Sequence, residues 1–335
     1  MAELKKPWND GGSLSVAYTG DRDGSAVFSS DPYEGINRVQ SVVFRDAGQT
    51  IAIEKLVRQD GIRQQFVTSD GKVFKVTQGR YGVLKEAVDT SINIENYLTI
   101  EALADGLTAK LASDAVEYCV DGDGVWKTLE AGVATEAINT GQTLSFRANY
   151  KSYNTSRRFT ITKSCNVLGD PMSLYYGDGA KNYDTLPYNY SFAYLFYRIT
   201  TIVDASKLVL DRKLKNYAYY YMFQGCTALK YPPELPATTL YSSCYRRMFQ
   251  GCTALLISPK LPALTLESYC YEYMLTSCGK CKEITMLATS ISASNCLLGW
   301  VNAVSKSGTF YKNKDATWTT TGISGVPSGW TVILI

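Results

Sequence analysis

No histidine occurs anywhere in the 335 residues. Its absence removes Ser-His-Asp and Cys-His catalytic groupings, imidazole metal ligands and the usual general base near neutrality. Carboxylate pairs remain as a route to acid–base chemistry, so a non-enzymatic role is expected, with no catalytic residue and no cofactor. Charge of one sign is also missing: 34 basic against 31 acidic side chains leave a net +3. That excess is too small to argue for nucleic acid or an anionic membrane. No stretch approaches the ~20 apolar residues of a membrane span, and no heptad pattern argues for a coiled coil. The opening MAELKKPWNDGG has no apolar core of a secretory leader. The expectation is a protein made and kept in a cytoplasm, or released by lysis or assembly.

Nine cysteines are present, an odd number. Six follow a strict spacing: Cys226, Cys252 and Cys278 lie 26 apart, as do Cys244, Cys270 and Cys296. Neither set has the paired ligands of a zinc ribbon. Cys278 and Cys281 form a lone CxxC, but Cys281 sits where Leu229 and Leu255 stand 52 and 26 residues earlier. A ladder of small, reduced, buried thiols is the expected arrangement, with no metal.

The first half alternates short β-rich runs with turn chemistry. Leu14, Val16 and Tyr18 alternate before the turn GDRDG. Val27-Phe28 begins a run ended by SSDPYEG, and Val42-Val43-Phe44 leads through DAGQ to Ile51 and Ile53. Short strands at ~8–12-residue spacing predict a small antiparallel sandwich. The alternation slips at Lys55-Leu56, which reads as a bulge. Two phase-matched runs split by Asp70-Gly71 follow as a hairpin. Further on, VEYCVDGDGVWKTL places Asp121-Gly122-Asp123-Gly124 between alternating flanks. An Asp-x-Asp-Gly run invites a calcium reading, but the closing acid of a twelve-residue loop is missing, so a plain turn is expected there and at Asp21–Gly24. Arg157-Arg158 reads as a solvated strand end.

The second half carries a 26-residue repeat. Residues 217–242 read YAYYYMFQGCTALKYPPELPATTLYS and residues 243–268 read SCYRRMFQGCTALLISPKLPALTLES. A third copy, YCYEYMLTSCGKCKEITMLATSISAS at 269–294, is eroding. A degenerate first copy at 191–216 puts Phe196-Tyr197 in the slots of Met222-Phe223. A fixed period of this size predicts a stacked array. Within each copy YxxMFxGCTAL has the i, i+3, i+4 spacing of a short helix, and the prolines of PxLPATTL stop it. Tyr219, Met222, Phe223, Cys226, Leu229, Leu235 and Leu240 should face inward. Positions that differ between otherwise identical copies should face water: Tyr220, Arg246 and Glu272, then Tyr221, Arg247 and Tyr273. These six are the candidate binding residues. The segment from Trp300 abandons the period, opening as an amphipathic helix, and fits a terminal cap. The chain has 25 tyrosines, which suit recognition surfaces as well as strands.

The patterns together predict a mainly β chain with α/β repeats: an N-terminal β-sandwich over 1–66, a hairpin and connector over 67–96, a second β-sandwich over 97–165, and repeats over 166–335. The repeat core spans 191–294 and the cap 295–335.

The units CYxxMFxGCTALxxxPxLPAxTL resemble the BspA-type leucine-rich repeats common in gut Bacteroidales and their phages, and ISASNCLLGWVNAVSKSGTFYKNKDATW…GVPSGWTV resembles the terminal cap of that class. The third unit departs from it: Ser277 replaces glycine, Ala288 proline and Ser292 leucine. The stretch SAVFSSDPYEGINRVQSVVFRDAGQTIAIEKLVRQDGIRQQF resembles BACON-type immunoglobulin-like domains, with LVRQDG at the typical ending. The combination is similar to fibre and decoration proteins of crAss-like and related phages. That resemblance implies a virion protein, a head or tail fibre or capsid decoration. It would be assembled in the host cytoplasm, contact other virion proteins through its N-terminal domain, self-associate, and display the repeats towards a host glycan or protein. A bacterial surface adhesin of the same modules, or a depolymerase using paired carboxylates, are the alternatives.

Overall fold

The computed structural model describes residues 92–210 and 212–335 in full, and the backbone of seven strands among the first 91. Two compact units are present, Met1–Asn93 with Cys119–Val125, and Ile94–Tyr118 with Trp126–Ile335. The architecture is mainly β.

In the first unit β1 (Glu3–Lys5), β2 (Ser13–Tyr18), β3 (Val39–Arg45), β4 (Ile51–Asp60), β5 (Arg63–Thr68), β6 (Val73–Gln78) and β7 (Leu84–Asp89) form one sheet in chain order. Each strand runs antiparallel to the next. The boundary expected at 66/67 falls inside β5, and the expected connector supplies β6 and β7 to the same sheet. The register of β4 against β5 shifts between Ile53 and Lys55 and again between Leu56 and Arg58, where the alternation slips in the sequence. The turns read at GDRDG, SSDPYEG, DAGQ and Asp70-Gly71 lie outside the described residues.

From residue 94 the chain continues with β8 (Leu98–Ala102), β9 (Ala109–Leu111), β10 (Val116–Val120), β11 (Lys127–Leu129), β12 (Thr143–Arg147), β13 (Phe159–Ile161) and β14 (Cys165–Leu168), the last two residues of β10 being counted with the first unit. A sheet of order β11-β10-β12-β8-β14-β15 ends on β15 (Ile202–Asp204), and β9 pairs with β13 as a separate ribbon. β14 is antiparallel to β8 but parallel to β15. One strand thus ends the antiparallel region and begins the array. The boundary expected at 165/166 falls inside it.

The array does not contain the expected short helices. Each copy is a ribbon of successive tight turns in which backbone N–H groups alternate between two destinations. Tyr220, Met222, Gln224 and Cys226 donate to the carbonyls three residues back, at Tyr217, Tyr219, Tyr221 and Phe223. The residues between them, Tyr217, Tyr219, Tyr221, Phe223 and Gly225, donate instead to Ser242 at the end of the copy and to Cys244, Arg246, Met248 and Gln250 of the next copy. The same alternation recurs from 243 to the third copy and from 269 to residues 294–302. Every fourth residue takes a positive φ: 217, 221, 225; 243, 247, 251; 269, 273, 277; 295, 299, 303. The real period is four, two residues in and two out. The apolar spacing 219, 222, 223, 226 fits it as well as it fits a helix.

Two register readings are corrected by this ladder. The first copy is offset by 27, since Phe192 N–H donates to Ala218 and Phe196 N–H to Met222, and Phe196 stacks on Phe223 at 5.2 Å. Phe196 therefore fills the slot of Phe223, and Leu195 that of Met222. The region around Trp300 is a fifth turn ribbon rather than an amphipathic helix, with Leu298, Trp300 and Asn302 bonded to Asn295, Leu297 and Gly299. The period extends into the segment expected to abandon it. The eroded third copy keeps all five bonds of this ladder, four of them to its successor.

On the opposite side of each copy the chain returns in extended form. β15 bonds to the first return at Lys230 and Tyr231, and the series ends in a parallel sheet of β16 (Glu283–Met286), β17 (Thr309–Lys312) and β18 (Thr331–Leu334). Between the returns at 230–236 and 256–262 the ladder thins to a bond from Leu256 N–H to the Lys230 carbonyl, because Pro232, Pro233, Pro236, Pro259 and Pro262 supply no N–H. Three indoles close the end: Trp300, Trp318 and Trp330 donate Nε1–H to the carbonyls of Gly325, Ala288 and Ser305.

The inward set holds as read: Tyr219, Met222, Phe223, Cys226, Leu229, Leu235 and Leu240 are all buried. Cysteine at the 226 position has a specific use. Cys226, Cys252 and Cys278 donate S–H to the carbonyls of Phe196, Phe223 and Phe249, at 3.1, 3.1 and 3.2 Å. A thiol of this size fills the core and satisfies a buried acceptor in the preceding copy. Burial raises all three thiols well above their ordinary value, and raises Cys281 to about 12.

Two outcomes follow. All nine cysteines are free and buried, so a thiol reagent at mildly alkaline pH should modify none in the native chain and all in denaturant. Ser277 holds a φ of 63° at a position where the two clean copies place Gly225 and Gly251. Removing its Cβ relieves a left-handed conformation worth roughly 1–2 kcal/mol in an L-residue, so Ser277→Gly should raise the unfolding free energy measured in urea by about 1 kcal/mol.

Candidate functional site

The six residues expected to face water form a ladder among themselves. Glu272 is buried, at 3% exposure, and the other five are half-buried. This corrects the reading of all six as free surface. The cause is the stacking distance: side chains at one position of successive copies stand close enough to cover each other. Tyr194 stacks on Tyr221 at 5.0 Å and 6°. The Arg247 guanidinium lies between two rings, 5.6 Å from Tyr221 and 4.6 Å from Tyr273. Arg158 sits 4.8 Å from Tyr194 at the other end, so the column reads Arg, Tyr, Tyr, Arg, Tyr. It ends at Gly299, where an added Cβ would lie 2.5 Å from Tyr273 Cε1. Glycine there leaves room for the last ring.

A second column runs Tyr220, Arg246, Glu272. Arg246 forms an ion pair with Glu272 and lies 5.7 Å from the Tyr220 ring and 5.4 Å from Tyr269. Burial alone would lower the Arg246 guanidinium, but the Glu272 hydrogen bond and charge outweigh it and raise it. Burial also pushes the Tyr220 hydroxyl up, helped by Tyr221. A third column stacks Tyr153, Tyr190 and Tyr217 at 5.4 and 4.3 Å. Ring faces that a sugar would stack on are thus taken by neighbouring rings and guanidinia. These columns tie one copy to the next.

The Arg157-Arg158 pair is likewise not a solvated end. Arg157 is buried at 7%, pairs with Asp114 at 2.8 Å, donates to the Ser152 carbonyl and lies 3.8 Å from the Tyr150 ring. The 121–124 turn is a turn by its bonds: Asp123 accepts from Val125 N–H at 2.7 Å and from the Cys119 thiol at 3.0 Å.

A better-formed site lies where sequence reading placed nothing. A cleft of about 460 Å³ is lined by Glu117, Arg147, Asn149, Tyr150, Tyr176 and Asp178 with small neighbours. β10 contributes Glu117, the end of β12 contributes Arg147, and the turns after helix α1 (Ser173–Tyr176) contribute Asp178. Arg147 Nε donates to Glu117 at 2.8 Å, and Nη1 to both Asp178 oxygens at 2.8 and 2.9 Å. The Trp126 ring backs the guanidinium at 4.1 Å, and Tyr97 donates its hydroxyl to Asp178 at 2.8 Å. Desolvation would raise the Asp178 carboxyl, but hydrogen bonds from Arg147 and Tyr97 and the Arg147 charge hold it below its ordinary value. Tyr176 is stacked on Tyr183 at 3.6 Å and 8°. The cleft therefore offers carboxylate acceptors, a guanidinium and an amide, all held in place, beside an aromatic pair. Such a set suits a polar, hydroxyl-rich ligand and lacks a nucleophile with an adjacent base. Among the described residues no group of three His, Cys, Asp or Glu side chains is placed to hold a metal ion.

Removing one partner of a largely desolvated ion pair costs about 3–5 kcal/mol, whereas replacing both with apolar groups is often neutral. Arg246→Leu should therefore lower stability to urea by about 3 kcal/mol, and adding Glu272→Leu should recover most of it. A loss in the double variant equal to the sum of the two single losses would show that the pair carries no coupling. Comparison with known proteins returns no match: no family model, no curated protein and no solved structure is similar to this chain.

Proposed function

We propose that the chain is a non-enzymatic structural protein of a virion, a head or tail fibre or a capsid decoration, that presents a rigid repeat stack and binds a glycan on the host surface. The repeats are read as a short BspA-type leucine-rich-repeat solenoid with its cap, and the first unit, one meandering antiparallel sheet rather than the expected sandwich, as the anchor onto other virion proteins. The observation that carries the reading is the in-register turn ladder. Its polar backbone and most of its large side chains bind one copy to the next, as a rigid display element requires. The Arg147 cleft is the place where a sugar would dock, with Tyr176 for ring contact and Glu117, Asp178 and Asn149 for hydroxyls. A shallow, open site gives weak single contacts, and many copies on one particle convert weak contacts into firm attachment.

The full chain, multimerised on a bead, should bind a subset of a glycan array and whole host cells. Asp178→Asn or Tyr176→Ala should weaken that binding about tenfold, the scale of a 1.4 kcal/mol loss. A lowered carboxyl remains an ionised acceptor as pH falls through its ordinary range of about 4. Asp178 should thus still accept a ligand hydroxyl where an ordinary aspartate has begun to protonate, and binding should be level from neutrality down to that range. Failure to bind any glycan or cell in multimeric form would sink the receptor role and leave a purely structural one.

A further inference from the structure

β18 closes the parallel sheet with an edge that nothing among the described residues pairs with. Its sequence is Thr331-Val332-Ile333-Leu334, followed by Ile335, and every one of these residues is exposed. Val332, Ile333, Leu334 and Ile335 are 45, 41, 61 and 50% accessible. Edge strands are ordinarily blunted by lysine, proline, a bulge or a covering loop, because their open N–H and C=O groups template pairing with another chain. Among the described residues β18 has none of these guards.

The backbone geometry fixes the register that a pairing strand would take. Thr331 N–H donates to Gly308 and Ile335 N–H to Lys312, while the Ile335 carbonyl accepts from Lys314 N–H. Odd-numbered residues of the strand therefore turn their amide groups inward to β17. By alternation, Val332 and Leu334 turn theirs outward. These two sets of outward groups lie symmetrically about Ile333. An antiparallel strand placed by a two-fold axis through Ile333 sets Val332 opposite Leu334 of the second copy, and every outward N–H meets an outward carbonyl. The strand carries no charge of either sign, so self-contact brings no like charges together. The opposite end of the second unit's sheets is a poor match: β11 there carries Lys127, ion-paired to Glu136, and the exposed Thr128. A head-to-tail contact would seat Val, Ile and Leu beside that pair.

We propose that β18 pairs with β18 of a second copy of this chain across a two-fold axis, joining the two parallel sheets into one through an isologous interface. The proposal is independent of what the Arg147 cleft binds. It goes beyond self-association as an expectation by naming the strand, the register and the symmetry.

Sedimentation of the full chain across micromolar concentrations should give a species of twice the 37.0 kDa chain mass. Two paired variants test the register. V332K with L334K, and V332E with L334E, each place like charges opposite one another and should sediment as single chains with unchanged circular dichroism. Their equimolar mixture sets Lys opposite Glu and should restore the doubled mass. A wild-type chain that stays monomeric throughout overturns the proposal. So do charged variants that remain dimeric, or a mixture that stays monomeric while both components are folded.

Discussion

The hydrogen bond from alternate amides of one copy to the carbonyls of the next is the interaction on which the rest of this structure depends. A chain of tight turns satisfies only half its own backbone groups. The other half must find partners at the same height in a neighbouring copy, so the copies have to be in register. Holding register requires a left-handed residue every fourth position, and most of those positions are not glycine. Tyrosine, arginine and serine accept that conformation because the inter-copy bonds on either side pin the backbone there.

From that constraint the side-chain columns follow. Inward positions place identical groups above one another, which is why Tyr219, Tyr245 and Tyr271 stack at 5.6 and 6.0 Å and why the thiols of Cys226, Cys252 and Cys278 repeat a single hydrogen bond. Outward positions do the same with Tyr and Arg. A tyrosine ring above a guanidinium uses the ring quadrupole and covers the apolar face, so variation between copies at these sites alternates complementary partners. Differences between copies reflected pairing along the stack rather than freedom to face water.

The period, the inward set and the cysteine ladder were legible because each repeats, and a repeated residue in a stack meets its own copy. The helix reading failed for a physical reason: four-residue turns and a 3.6-residue helix place apolar residues at almost the same short-range intervals, and only the destination of each N–H separates them. The cap failed similarly, since Asn295, Gly299 and Ala303 continue the left-handed positions without continuing the tyrosine pattern. The cleft left no local trace at all. Glu117, Arg147 and Asp178 stand 30 and 31 residues apart on different elements, and no spacing rule connects them.

By itself the sequence determined that this chain is rich in short strands, that its second half repeats every 26 residues, and which side chains of the repeat are inside. Those properties are periodic or compositional and need no distant partner. Tertiary structure alone decided that Glu272 is buried against Arg246 and that Arg147 organises a cleft. It also decided that β14 joins the antiparallel sheet to the array and that β18 ends it with an open apolar edge. Each of these depends on which strand lies beside which, and that is set by hydrogen bonds between residues far apart in the chain.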